Sequence, residues 1–114
     1  MEDIIKNLRL FASERDWDKF HNPKNLVMAL SGEVGELSDI FQWLTLEESE
    51  KENLSSAQLN DVEEELADVF LYLLRIADKL DINLENAALK KLEVNKEKYP
   101  VSLAKGNAIK YNKR

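Results

Sequence analysis

Four carboxylates at matching spacings are the residues of this chain best suited to chemistry. Glu33 and Glu36 stand three apart within LVMALSGEVGELSDIFQWL (26–44). Glu65 and Asp68 stand three apart within LNDVEEELADVFLYLLRIADKL (59–80). Three residues is close to one helical turn, so each pair projects from one side of a helix. In the first stretch Leu26, Leu30, Leu37, Ile40, Phe41 and Leu44 follow a helical period, and Glu33 falls inside their apolar stripe with Glu36 at its edge. In the second, Val62, Leu66, Val69, Leu73, Ala77 and Leu80 form the stripe, flanked by Asp61, Glu65, Asp68 and Tyr72. A carboxylate on a core face is costly unless something compensates it. Two such helices facing each other bring four anions together, and these stay ionised only around a cation. Oxygen-only ligands suit a hard divalent ion, Mg2+ or else Mn2+.

The elements that must hold these groups are helical. The chain has 114 residues, 44% of them hydrophobic, with three glycines and two prolines. That predicts one all-α domain over 1–114. Helices are expected at 2–14, about 24–46, about 56–80 and about 84–98, with Ser55 or Ser56 as the cap of the third. In the first helix Ile4, Ile5, Leu8 and Phe11 pack; in the fourth, Leu84, Ala88, Leu89 and Leu92. The run EESEKENLSSAQ (47–58) reads as a solvated connection, and Pro100 ends the fourth helix. The net charge is −6, which excludes a basic nucleic-acid or membrane-surface binder. There is no cysteine, hence no disulfide and no thiolate site, which suits a reducing cytoplasm. No signal peptide or membrane span is visible.

Four further features admit two readings each. Trp17, Phe20 and His21 crowd the loop RDWDKFHNPKN (15–25) beside Arg15, Lys19 and Lys24. They either plug one end of a bundle or line a pocket for a flat base and its phosphates. Gly32 and Gly35 are each worth about 1 kcal/mol less than alanine inside a helix, so they suggest close approach of another backbone or of a ligand. Lys91, Asn95 and Lys98 share one side of the fourth helix, as an exposed basic edge or as donors to phosphate oxygens. The tail 101–114 is either disordered or folds over a bound anion.

Gly32-Glu33-Val34-Gly35-Glu36-Leu37 followed by Glu65-Leu66-Ala67-Asp68 resembles the ExxE…ExxD signature of the all-α nucleoside triphosphate pyrophosphatases, the MazG-like superfamily. ERDWDKFHNPKNL, FQW, DVFLYL, NKEKYP and KGNAIKY, in that order, are similar to its dCTP pyrophosphatase branch. The likeness runs from about residue 8 to residue 111. It implies a four-helix bundle-type fold that assembles into dimers or tetramers. It also implies Mg2+-dependent hydrolysis of a nucleoside triphosphate, dCTP or a modified pyrimidine deoxynucleotide, to monophosphate and pyrophosphate, as nucleotide-pool cleansing. Glu33, Glu36, Glu65 and Asp68 would be the catalytic metal ligands. Trp17, Asp18, Lys19, Phe20, His21, Trp43 and Tyr72 would line the nucleotide pocket, with Lys91 and Asn95 near the triphosphate or base. Tyr99, Lys105 and the tail would complete it. The pattern departs at Leu8, where close relatives can carry histidine, and this leaves the preferred base open.

Three other readings compete. A di-iron carboxylate bundle needs Glu-x-x-His pairs, and the one histidine stands in a loop. A non-catalytic nucleotide-sensing oligomer would keep the aromatic pocket but could dispense with some carboxylates. A purely structural helical protein leaves Glu33 and the paired glycines unexplained.

Overall fold

The computed structural model describes residues 1–106, which form helices and turns with no strand among them. Two compact units divide the chain, Met1–Asp81 and the part from Ile82 onward. None of the described helices is long and apolar enough to cross a membrane.

In the first unit, α1 (Glu2–Glu14) matches its expected span. It closes in a Schellman turn: the Trp17 N–H donates to the Ala12 carbonyl at 2.9 Å and the Asp16 N–H to that of Ser13 at 3.1 Å. Asp16 takes the left-handed conformation this turn demands, with φ 54°. The turn folds Trp17 back onto α1, edge-on to Phe11 with ring centroids 5.6 Å apart. A single 3-10 turn, Asp18–Phe20, leads on. Asn22 then caps α2 (Pro23–Phe41) by accepting the Asn25 N–H at 3.0 Å. Pro23 at the first helical position sacrifices no hydrogen bond.

α2 stops at Phe41, short of the expected 46. Thr45 and Glu48 cap each other, N–H to side chain both ways at 2.8 and 3.1 Å, and this starts a new turn before the apolar period runs out. The connection holds a 3-10 turn at Lys51–Asn53. Ser55 and Gln58 form the capping box that opens α3 (Ser56–Lys79). α2 packs on α3, and α1 also lies against α3. Glu33 meets Glu65 while His21 meets Arg75, so α2 and α3 run antiparallel.

The buried side of α3 differs from the expected stripe. Ala77 of that stripe is buried, but so are Leu74 and Arg75 outside it, whereas Leu66, Leu73 and Leu80 of the stripe are exposed, as is Leu59. α3 carries two apolar sides: α1 faces the one that bears Leu71 and Arg75, and α2 meets α3 beside it, at Glu65. The other, with leucines seven residues apart, stays open. Gly32 and Gly35 also face open space: a Cβ at either would meet nothing within 4 Å. No close approach among the described residues requires them.

In the second unit, Asn83 caps α4 (Leu84–Lys98) by accepting the Asn86 N–H at 3.0 Å. Leu89 and Leu92, expected to pack, are exposed. Pro100 ends the helix as expected, but a short α5 (Val101–Ala104) follows at once. The expectation for the tail beyond residue 106 falls outside the described residues.

Candidate active site

The antiparallel α2–α3 pair brings Glu33, Glu36 and Glu65 together, with one carboxylate oxygen from each lying within 4.8 Å of the others. Glu33 and Glu65 each bury one oxygen that has no hydrogen-bond partner among the described residues. An orphaned buried carboxylate oxygen needs a proton or a cation. Burial, and then the neighbouring Glu36 carboxylate, push Glu33 above the usual carboxylate range. Burial, followed by the Glu36 and Glu33 carboxylates, pushes Glu65 up to about 7. Three hard oxygen donors with two unsatisfied lone-pair sites fit a divalent cation. Asp68, expected as a fourth member, lies outside this set. Its charge still reaches Glu33, and its side chain lines the adjoining cavity.

That cavity, about 230 Å³, is walled by Leu8, Phe11, Trp17, His21, Tyr72 and Arg75, with Asp68 and Leu71. Trp17 meets Phe11 on one side and His21 on the other, with ring centroids 6.4 Å apart on the His21 side. The walls are mostly apolar and aromatic with a few polar groups, the make-up of a site for a flat heteroaromatic ligand. Its carboxylate wall, Asp68, is one helical turn from Glu65.

Behind the cavity runs a chain of ion pairs. Arg75, only 6% exposed, donates its Nε–H to His21 Nδ1 at 3.2 Å and its Nη2 to Asp18. Lys79 also reaches Asp18, at 2.7 Å, and Arg9 grips Asp78 with two donors. The Lys79 ammonium holds the Asp18 carboxyl below the usual range, and the Arg9 guanidinium does the same for Asp78. Burial, reinforced by the Arg75 charge, pushes the His21 imidazole down.

Of the residues expected around a ligand, the structure gathers Trp17, His21 and Tyr72 at the cavity and sets Asp18 one contact behind it. Lys19 pairs with Asp16 at 2.9 Å and lies over the exposed Phe20 ring, away from the cavity. Trp43 is 87% exposed in the turn after α2. Lys91 and Asn95 lie on α4 in the second unit. Arg75, Phe11 and Leu71 are cavity residues that the sequence reading missed. A signal for Arg75 existed: it continues the line Asp68, Tyr72 at helical spacing, a cation among Leu74, Ile76 and Ala77.

Comparison with known proteins shows what the chain is similar to. The MazG-like family profile matches residues 28–113. dCTP pyrophosphatase 1 of Bos taurus is 43% identical over 111 residues, 97% of this chain and 66% of its own length. Its Homo sapiens counterpart is 42% identical over 97% of this chain and 65% of its own length. The chain therefore spans just under two thirds of these curated relatives. A pyrophosphatase of Archaeoglobus fulgidus, known from a crystal structure, superimposes with a TM-score of 0.81. It is 45% identical, over 88% of this chain and 92% of its own. A profile covering three quarters of the sequence, with the acidic pairs inside it, makes this chain a member of the MazG-like family.

Proposed function

We propose that this protein is a nucleoside triphosphate pyrophosphohydrolase. It would convert a deoxynucleoside triphosphate, dCTP or a modified pyrimidine nucleotide, to the monophosphate and pyrophosphate, and so cleanse the nucleotide pool. The observation that carries the proposal is the pair of orphaned buried oxygens on Glu33 and Glu65 beside an aromatic cavity. The names of the relatives point the same way.

Glu33, Glu36 and Glu65, with Asp68 at their edge, would hold Mg2+ or Mn2+. When bound, the ion neutralises phosphate charge and polarises the scissile group. Trp17, Phe11 and Tyr72 would wall the base on its apolar side. Glu36, the exposed member of the cluster, is open to water and accepts its proton as the water oxygen bonds to the α-phosphorus. The bond from that phosphorus to the bridging oxygen breaks, and pyrophosphate departs with the electron pair. Trp43 would line the nucleotide pocket, with Lys91 and Asn95 near the triphosphate or base.

The same proposal includes a homodimer or homotetramer. The open leucine face of α3 supports it: Leu59, Leu66, Leu73 and Leu80 repeat every seven residues and are all exposed. It also includes a single domain over 1–114 and a cytoplasmic location, which the cysteine-free composition suits.

The test is product analysis over a panel of canonical and 5-modified deoxynucleoside triphosphates. Monophosphate and pyrophosphate in equal amounts, formed only with the divalent ion, support the proposal. Release of inorganic phosphate and a diphosphate, or no turnover of any nucleotide, rejects it.

A further inference from the structure

We propose that Arg75 is a positioning residue that locks His21 in its neutral Nε2–H form, so that His21 offers the aromatic cavity one hydrogen-bond donor and reads an acceptor atom on the edge of the bound base. The inference rests on the nucleotide reading above.

A guanidinium has only donors and stays charged at every physiological pH. Its Nε–H points at His21 Nδ1 from 3.2 Å, so that nitrogen must present a lone pair. The single proton of the neutral ring then resides on Nε2, across the ring from Arg75. The imidazolium is disfavoured because Nδ1–H would face a donor. Arg75 is itself fixed from three sides: Asp18 from the turn after α1, Asp78 from its own helix, and, through Asp78, Arg9 of α1. Lys79 shares Asp18, so the carboxylate does not swing away to the histidine. The His21 imidazole makes no other hydrogen bond among the described residues, yet it lines the cavity with Trp17 and Tyr72. Its free donor therefore selects a carbonyl oxygen or an unprotonated ring nitrogen on the base, such as a cytosine-type ring presents.

His21 is the only histidine of the chain. The full-length protein labelled with 15N-histidine therefore shows one imidazole, at about pH 7.5. The expected spectrum has a protonated Nε2 and an unprotonated Nδ1, and saturation with dCMP moves the Nε2 resonance. An Nδ1–H tautomer, or two averaged nitrogens, overturns the proposal without reference to activity. Arg75→Met is expected to average the two nitrogens and to raise KM for dCTP about tenfold, the worth of one neutral hydrogen bond. Its kcat should stay within about threefold, since the metal-binding carboxylates are untouched. Arg75→Lys keeps a donor and should restore the Nε2–H form. Unchanged tautomer and KM in both variants overturns the proposal. Movement of Nε2 with dCMP in a protein that hydrolyses no nucleotide rejects the pyrophosphohydrolase reading and leaves the inference standing. Hydrolysis without any response of Nε2 to dCMP does the reverse.

Discussion

The Glu65 carboxyl, pushed up to about 7 by burial and by its Glu36 and Glu33 neighbours, makes metal binding a proton-linked event. Its folded value lies above the 4.5 of a free glutamate. In the metal-free protein the stabilisation it contributes is therefore complete below about pH 4.5 and is lost as pH rises through about 7. His21, held below 6.5, acts in the opposite sense below that value, so the informative range lies above it. Between about pH 6.5 and 8 the metal-free melting temperature should fall, and Mg2+ should raise it more at the upper end. At pH 7 each site should release about half a proton on binding Mg2+, read by calorimetry in two buffers of different ionisation enthalpy. Glu65→Gln should diminish that release, leaving the share of Glu33. No buffer dependence in the wild type would contradict the assignment. On the aromatic side, Trp17→Ala should raise KM about ten- to a hundredfold, the range for losing one base–aromatic stack. Steady-state kinetics with dCTP reads it, and an unchanged KM would remove Trp17 from the site.

At the scale of the elements, the turn after α1 sets the cavity wall. Asp16 pays for that turn with a left-handed backbone at φ 54°. Asp16→Val should cost about 1–2 kcal/mol, because a β-branched residue tolerates that conformation poorly. It should also raise KM, since Trp17 is the next residue. Ser55→Ala removes the α3 capping box and should cost about 1 kcal/mol with KM unchanged. Urea denaturation beside kinetics separates the two, and equal effects on KM would contradict a local role for the turn. The starts of α2, α3 and α4 and the span of α1 were legible because capping chemistry and breakers are local. The end of α2 was not, because the apolar period continues through Leu44 while the Thr45–Glu48 cap redirects the backbone. The inward side of α3 was misread because the helix has two apolar sides, and sequence alone does not say which one its own chain covers. Arg75 was missed for the same reason: a cation reads as outward until its partners Asp18 and His21, more than fifty residues away, are known.

For the molecule as a whole, the proposed oligomer would cover the open leucines of α3 and the open space at Gly32 and Gly35 with a second copy. Light scattering on the eluting protein should give a dimer or tetramer. The Leu66→Asp, Leu73→Asp double variant should elute as a smaller species with helix content retained. A monomeric wild type would contradict this part of the account. The acidic pairs were legible at this scale too, since three of the four carboxylates converge and Asp68 stands beside them. Trp43 was named from the resemblance, Lys91 and Asn95 from their spacing as well, and all three lie outside the described cavity.

The central claim is that the Glu33–Glu36–Glu65 cluster runs a divalent-ion-dependent cleavage between the α- and β-phosphates. Its most direct test is pyrophosphate release from dCTP by wild type and by Glu33→Gln at matched oligomeric state, with Mg2+ and with chelator. The account predicts release by the wild type with Mg2+ only, and a loss of at least about a hundredfold in the variant. Full activity in Glu33→Gln, or release that persists in chelator, would contradict it.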